Sequence, residues 1–232
     1  MVELLPCGWK REELMPRLAL HVLTDREWSR GRDMQTVAAA ALAGGATIIQ
    51  LRDKQATTRT LVEEGLALRE LTRRHGALLI VNDRVDVALA IEADGAHVGQ
   101  DDMPVALARK LLGPGRILGV SAGNLAEAEQ AVAEGADYLG VGPIYPTRGK
   151  ADAGPATGPA LLQAISARYR VPLVAIGGIT AANTPEVIAA GACGVAVITS
   201  VVAAEDITAA ARAIAEQVRA ARAAAGLTGE AT

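Results

Sequence analysis

Charged residues that directly follow apolar runs are the part of this chain best suited to chemistry. Residues 50–54 read Gln-Leu-Arg-Asp-Lys, so Arg52 and Lys54 are separated by one residue. Alternate residues of an extended chain share a side, and two cations on one side suit a highly charged anion such as a diphosphate. A third cation, Lys150, follows a later apolar run. Salt bridges with neighbouring carboxylates are the alternative interpretation of all three.

Two carboxylates, Asp83 and Asp102, also follow apolar runs. Mg²⁺ is commonly bound by one or two protein carboxylates together with phosphate oxygens of a substrate. The pair therefore predicts a magnesium site that the substrate completes. The alternative is that each aspartate caps the helix that follows it.

Small and hydroxylated residues end the last two apolar runs, at Gly177-Gly178 and Thr199-Ser200. Glycine lets backbone N–H groups approach an anion, and a following helix start favours negative charge. These two segments predict a phosphate site, with a plain tight turn as the alternative for the glycine pair.

Three further polar residues have two interpretations each. Gln50 and Asn82 suit hydrogen bonds to a neutral heterocycle, or they satisfy backbone groups in the interior. His97 is either a base or a buried, hydrogen-bonded histidine. Neither cysteine has a histidine near it in sequence, so we expect no thiol nucleophile, and no zinc-ligand spacing occurs.

The elements that position these residues follow a repeated pattern of helix end, glycine and strand, which occurs at 42–49, 91–98, 132–139 and 188–195. Glycine after a helix adopts a left-handed conformation without a Cβ clash. Strands of a parallel sheet covered on both faces appear as short continuous apolar runs. The predicted strands are 18–24, 46–51, 77–82, 95–98, 116–121, 137–142, 171–176 and 193–198. The predicted helices are 33–43, 57–75, 84–93, 104–112, 124–134, 159–168, 180–190 and 205–224.

Eight strand–helix pairs predict a single (β/α)8 TIM barrel, with a doubly wound open sheet as the alternative. We assign residues 1–17 to an N-terminal leader, 18–225 to the catalytic barrel and 226–232 to a C-terminal tail. In such a barrel the carboxyl ends of the strands carry the reactive groups, which is where the polar clusters lie. The loop at 143–159 is long enough to be functional.

The composition limits the classes of partner that the chain is expected to bind. The chain has 232 residues, a net charge of −3 and a 2% aromatic fraction without phenylalanine, which argues against a nucleic-acid partner. Two charge-free stretches, 34–51 and 187–204, contain glycines and read as helix–turn–strand, so we expect no membrane span. Two cysteines suit a reducing cytoplasm. Homo-oligomerisation is compatible with the sequence, which does not set a subunit number.

Taken in order, the strand-end motifs closely resemble those of the thiamine phosphate synthase family over about residues 18–215. The motifs are QLRDK (50–54), NDRVD (82–86), GAHVGQDD (95–102), GVS (119–121), GVGPIYPT (140–147) and IGGIT (176–180). Several motifs in the right order are far more specific than any one of them.

The resemblance implies an Mg²⁺-dependent transferase that condenses a hydroxymethylpyrimidine diphosphate with a thiazole phosphate to give thiamine phosphate and pyrophosphate. The residues implied to bind the pyrimidine diphosphate are Gln50, Arg52, Lys54, Asn82, Ser121 and Lys150, of which Arg52, Lys54, Ser121 and Lys150 form the catalytic set. Asp83 and Asp102 would bind the metal. Thr147, Gly178, Ile198 and Thr199 would bind the thiazole phosphate. The aminopyrimidine can delocalise a methylene cation as pyrophosphate leaves, and the thiazole nitrogen has no proton to lose, so no general base is required.

Two departures from the family pattern leave alternatives open. The family commonly has a threonine where this chain has Gly149, so Arg148 becomes the candidate phosphate contact in that loop. Thr199 replaces a common serine and keeps the hydroxyl. One alternative is a related tautomerase or sugar-phosphate isomerase, although tautomerases tend to have a histidine where this chain has Gly123. Another is a ligand-binding regulatory protein that has lost turnover.

Overall fold

The computed structural model describes residues 4–149 and 154–227. Eight parallel strands close into a barrel, with β1 paired to both β2 and β8. Closure confirms the (β/α)8 prediction and excludes the open sheet. The strands are β1 (Leu20–Leu23), β2 (Ile48–Leu51), β3 (Leu78–Asn82), β4 (Gly95–Val98), β5 (Ile117–Ala122), β6 (Tyr138–Val141), β7 (Leu173–Ile176) and β8 (Gly194–Val197).

Helices surround the barrel and include the eight that the sequence predicts. They are α1 (Arg11–Arg17), α2 (Met34–Ala43), α3 (Thr58–Arg74), α4 (Val85–Ala90), α5 (Val105–Leu112), α6 (Leu125–Ala133), α7 (Pro159–Ser166), α8 (Thr184–Ala189), α9 (Thr199–Val202) and α10 (Ile207–Ala224). Two of them, α1 and α9, were not predicted. In the described part of the chain, no helix is both long enough and apolar enough to cross a membrane.

Residues of each strand alternate between two apolar cores. One core lies between the strands and the helices and contains residues such as Val22, Ile49 and Leu79. The other lies inside the barrel and includes Ile48, Ile80 and Tyr138. Side chains two residues apart in a strand point to the same face. Because Ile48 and Ile80 face the interior of the barrel, Gln50 of β2 and Asn82 of β3 face it as well. The alternation therefore brings polar residues at the carboxyl ends of neighbouring strands together at the interior of the barrel.

Helix α1 contributes to the interior core, in which Leu14 and Leu18 are completely buried. Several long-range hydrogen bonds hold this segment, and two of them are buried. Arg222 of α10 donates to the Met15 carbonyl, and the Cys7 amide donates to the fully buried Asp137 carboxylate over 2.7 Å. Residues 4–19 therefore pack into the fold of the barrel.

The helix–glycine–strand repeat holds in three of its four copies, where Gly45, Gly135 and Gly191 have φ between 99° and 109°. The copy at 91–98 differs, because Glu92 takes the left-handed conformation with φ 52°. Gly95 instead lies in β4, where an added Cβ would overlap the Ile117 carbonyl of β5. The prediction of a left-handed glycine was thus wrong for this copy, whose glycine allows close approach of two strands.

A buried histidine inside the barrel makes stability depend on pH. His21 is 1% exposed, and burial lowers its pKa to about 3. The unfolded chain binds this proton near pH 6.5, so the stabilising contribution is complete above that pH and is lost as the pH falls toward about 3. As the pH falls from 6.5 toward about 3, we expect the unfolding free energy of the wild type to decrease. Per pH unit, this decrease should exceed that of His21→Gln by about 1 kcal/mol. Urea denaturation across this range measures both slopes, and equal slopes would contradict the prediction.

Candidate active site

A cavity of about 530 Å³ opens at the carboxyl ends of the strands. It brings together most of the predicted site residues, namely Arg52, Lys54, Asn82, Asp83, Asp102, Ser121, Thr147, Gly149, Gly178, Ile198 and Thr199. Gln50 of β2 is 3% exposed and lies outside the lining. Arg52 follows two residues later, just past the end of the strand, so the two side chains lie on the same side of the chain. Arg148 is exposed and also outside the lining. Lys150 lies outside the described residues.

Arg52 is held at the cavity edge by the end of β1. Its guanidinium is ion-paired with Asp25, and the two side chains are 8% and 9% exposed. Asp25 is oriented by the amide of Glu27, which donates to it over 3.0 Å. The Arg52 amide donates to the buried Thr24 hydroxyl over 2.9 Å. The salt-bridge alternative is therefore realised for Arg52, and the same pair fixes a buried cation beside the cavity.

Asp83 adopts a backbone conformation that non-glycine residues rarely take, with φ 63°. Its amide donates to the His97 carbonyl over 2.7 Å, and its carboxylate lies 3.8 Å from Lys54 Nζ. The capping alternative does not hold, because the N-cap of α4 is Arg84 and no side chain caps that helix. Sparsely populated conformations cluster at functional sites, where the surrounding structure maintains them.

Asp102 likewise caps no helix, since the N-cap of α5 is Pro104 without a side-chain bond. Its carboxylate accepts a 2.7 Å hydrogen bond from the Gly99 amide, which holds it over the end of β4. Asp83 and Asp102 line the same cavity. The described residues contain no group of three or more His, Cys, Asp or Glu side chains able to hold a metal. Two carboxylates are the donor set expected when substrate oxygens complete a magnesium site, so the residues present fit this ion.

His97 is buried and uses both ring nitrogens. Nδ1 lies 3.0 Å from the Tyr138 hydroxyl, and Nε2 lies 3.0 Å from Ser121 Oγ. This arrangement matches the alternative in which His97 is buried and hydrogen-bonded. Tyr138 was not among the predicted site residues, because its position at the start of β6 looks like that of an ordinary core aromatic residue.

The opposite wall is formed by glycines after β7 and by the loop after β6. Gly177 and Gly178 have φ of 93° and 67°. The Tyr145 amide donates to the Gly177 carbonyl over 3.0 Å, and its side chain donates to Glu186 over 2.5 Å. Burial, together with that carboxylate, raises the pKa of Tyr145 to about 12. The loop is thereby attached at Tyr145 to the residue that follows β7 and to α8.

Thr147 and Gly149 lie next to the end of β8. The Gly149 amide donates to Thr147 Oγ1 over 3.1 Å, and a Cβ on Gly149 would lie 3.6 Å from Thr199 Cγ2. All the described atoms near such a Cβ lie at ordinary van der Waals distances, so none of them requires glycine here. Compared with the threonine that the resemblance implies at this position, Gly149 therefore lacks a hydroxyl group that could contact a phosphate, and the difference does not follow from the local backbone shape.

Gly178 is where the backbone does require glycine. A Cβ there would lie 2.7 Å from Tyr145 Cβ and 2.8 Å from the Pro146 carbonyl. We expect Gly178→Ala to lower the unfolding free energy by about 2 kcal/mol, through positive φ and displacement of the loop. Gly154→Ala is the matched control, because no atom of the described residues lies within 4 Å of its added Cβ. Urea denaturation compares the two, and equal stabilities would contradict this account.

Several lining residues were not predicted, among them Gln100 and Glu127. Gln100 Nε2 donates to the Ser121 carbonyl over 2.8 Å. Glu127 accepts from the Gly123 amide over 2.7 Å, while its own amide donates to the Asn124 side chain. The spacing of Asn124 and Glu127 predicts a capping box. Glu127 reaches the cavity because it lies in the first turn of α6, which begins beside the end of β5.

Neither cysteine suits catalysis. Cys7 and Cys193 are free and buried. Burial raises their thiol pKa values to about 12 and about 11, so both are protonated at neutral pH.

Comparison with known proteins identifies related chains. The model of the family described as thiamine monophosphate synthase matches residues 20–201. The thiamine-phosphate synthase of Chloroflexus aurantiacus is 61% identical over 193 residues, which are 83% of this chain and 89% of the relative. That of Moorella thermoacetica is 55% identical over 208 residues, covering 90% of this chain and 99% of the relative.

A solved structure shows the same architecture. Thiamine phosphate pyrophosphorylase from Pyrococcus furiosus superposes with a TM-score of 0.83 at 43% identity, covering 90% of this chain and 98% of that chain. A structure of 3-hexulose-6-phosphate synthase has a TM-score of 0.60 at 18% identity, covering 86% of this chain and 99% of that chain. The second likeness concerns the fold alone.

Proposed function

The chain belongs to the thiamine monophosphate synthase family, and on that premise we propose that it condenses 4-amino-2-methyl-5-(diphosphooxymethyl)pyrimidine with 4-methyl-5-(2-phosphooxyethyl)thiazole. The products are thiamine phosphate and pyrophosphate. The C–O bond between the pyrimidine methylene and the diphosphate breaks, and a bond from the methylene carbon to the thiazole nitrogen forms. We place this reaction in the cytoplasm.

The observation that carries the proposal is the division of the cavity into two walls. One wall carries Arg52, Lys54, Asp83 and Asp102, which suit a diphosphate and a divalent cation. The other carries Gly178 and Thr199, where backbone amides and a hydroxyl suit a phosphate. A single cavity with two anion-binding walls fits a reaction between two phosphorylated substrates.

Asp83 and Asp102 would hold Mg²⁺ when the diphosphate is bound. The ion would supply Lewis-acid stabilisation of the negative charge that develops on the leaving pyrophosphate. Arg52 would bind a diphosphate oxygen, and its pairing with Asp25 keeps the guanidinium in place before substrate arrives. Lys54 and Lys150 would add positive charge near the diphosphate from the rim of the cavity.

The remaining residues orient the two rings. Asn82 and Gln50 would hydrogen-bond the aminopyrimidine, with Gln50 reaching the ring from below the cavity lining. Ile198, Thr147 and Thr199 would hold the thiazole phosphate, with Arg148 and Gly149 in the same loop. We infer a dissociative path, since the pyrimidine can delocalise a methylene cation and the nucleophilic nitrogen has no proton to lose. The protein then acts by positioning and electrostatics, without a general base.

The direct test is pyrophosphate release by purified protein with both substrates and Mg²⁺. We expect pyrophosphate and thiamine phosphate in equal amounts, and no thiamine phosphate when either substrate is omitted. An electron-withdrawing substituent on the pyrimidine should slow the reaction if a cation forms. Tight binding of both substrates without product would overturn the proposal in favour of a ligand-binding protein.

A further inference from the structure

A three-residue hydrogen-bond chain runs from the barrel core to the cavity. It links the Tyr138 hydroxyl to His97 Nδ1 and His97 Nε2 to Ser121 Oγ, each over 3.0 Å. Tyr138 is completely buried, whereas Ser121 is partly exposed and lines the cavity. The direction in which each proton is donated follows from the partners available along this chain.

The Tyr138 hydroxyl has a single hydrogen-bond partner among residues 4–149 and 154–227, which is His97 Nδ1. Burial raises the pKa of Tyr138, so the hydroxyl keeps its proton. A buried hydroxyl proton without an acceptor is unfavourable, so Tyr138 donates and Nδ1 accepts. A ring nitrogen that accepts a hydrogen bond carries no proton, so the geometry places the imidazole proton of His97 on Nε2.

The Nε2 proton of His97 is then donated to Ser121 Oγ. Because Nε2 is a donor, it cannot accept the Ser121 hydroxyl proton, which must be donated to another group. Ser121 faces the cavity in which the proposed function places the diphosphate. We propose that Tyr138 is a positioning residue which, through the tautomer of His97, holds the Ser121 hydroxyl as a hydrogen-bond donor to the diphosphate leaving group. The identity of the acceptor rests on the proposed function, whereas the tautomer does not.

Strand register and two glycines maintain this arrangement. Gly119 of β5 is paired with His97 of β4 on one side and with Tyr138 of β6 on the other. A Cβ on Gly119 would overlap both the Tyr138 hydroxyl and His97 Nδ1. A Cβ on Gly140 would lie 2.9 Å from His97 Cε1. The two rings can therefore approach each other only because both neighbours lack side chains.

The tautomer can be measured directly on the wild-type protein without substrate. ¹⁵N NMR distinguishes protonated from unprotonated ring nitrogens, and loss of one spin system in His97→Asn assigns the signal among the three histidines. We expect His97 to carry its proton on Nε2, and Tyr138→Phe to convert it to a mixture of tautomers. A proton on Nδ1 of the wild-type ring would overturn the proposal even if the enzyme turns over.

Kinetic coupling tests the effect on Ser121. Tyr138→Phe removes only the hydroxyl, and we expect kcat to fall about tenfold, as for loss of an outer-shell partner, with both KM values within about twofold. In a Ser121→Ala background the same change should have no further effect. An equal decrease in both backgrounds would show a merely structural role and overturn the proposal.

Binding of inorganic pyrophosphate supplies a readout that does not need turnover. With Mg²⁺ present, calorimetry should give a Kd about tenfold higher for Tyr138→Phe than for the wild type, and no such difference in the Ser121→Ala background. An unchanged Kd in Tyr138→Phe would contradict the proposed hydrogen bond. Absence of thiamine phosphate formation by the wild type, with this coupling intact, would instead refute the proposed function.

Discussion

Asp83→Asn and Asp102→Asn should each lower kcat about a thousandfold at saturating Mg²⁺, because each removes one of the two carboxylates proposed to bind the ion. Such a decrease corresponds to about 4 kcal/mol of transition-state free energy, which is the size expected for Lewis-acid stabilisation of a leaving phosphate. Asparagine keeps the shape of both side chains, and at position 102 it can still accept from the Gly99 amide. Activity should be measured over a range of Mg²⁺ concentrations.

Asp86→Asn is the matched control for this experiment. Asp86 is on α4, three residues after Asp83, and its exposed carboxylate pairs with Arg84, which holds its pKa below the ordinary value. The control thus removes the same charge from the same region without touching the cavity. We expect its Mg²⁺ dependence to match that of the wild type. Wild-type kcat in both Asp83→Asn and Asp102→Asn would show that these carboxylates do not serve the reaction.

Arg52→Gln should lower kcat by about a hundredfold to a thousandfold, because it removes a preorganised cation from the developing charge on pyrophosphate. It should also lower the unfolding free energy by about 3 kcal/mol, because Asp25 is left buried without its ion-pair partner. Pyrophosphate release and urea denaturation measure the two effects separately.

The double variant Asp25→Asn/Arg52→Gln separates catalysis from folding. It has no buried unpaired carboxylate, so we expect stability to recover toward that of the wild type. Activity should remain as low as in Arg52→Gln, since the cation is still absent. Recovery of activity along with stability would contradict the role assigned to Arg52 and would leave the ion pair with a structural function.

The barrel was predictable because helix–turn–strand periodicity repeats along the chain, and closure then follows from eight parallel strands. Most of the site was predictable for the same reason, since a parallel barrel brings all strand ends to one face. Helix α1 was missed because Pro16 interrupts a short, strongly charged segment. Helix α9 was missed because it is a single turn of four residues.

What could not be predicted depends on register between strands distant in sequence. His97, Gly119 and Tyr138 lie side by side only because β4, β5 and β6 pair in one register. The Asp25–Arg52 pair similarly needs the alignment of β1 and β2. Hydrophobic periodicity specifies which face a residue occupies but not its neighbour across the strand. The position of a residue before a helix likewise does not establish that it caps the helix, because Asp83 and Asp102 precede α4 and α5 and cap neither.

The most direct test of the central claim is formation of thiamine phosphate by the wild-type protein with both substrates, run in parallel with Mg²⁺ and with a chelator. We predict product with the metal and none above background with the chelator. Equal product in both reactions would contradict the role proposed for Asp83 and Asp102. No product in either reaction, from folded protein that binds both substrates, would contradict the synthase assignment itself.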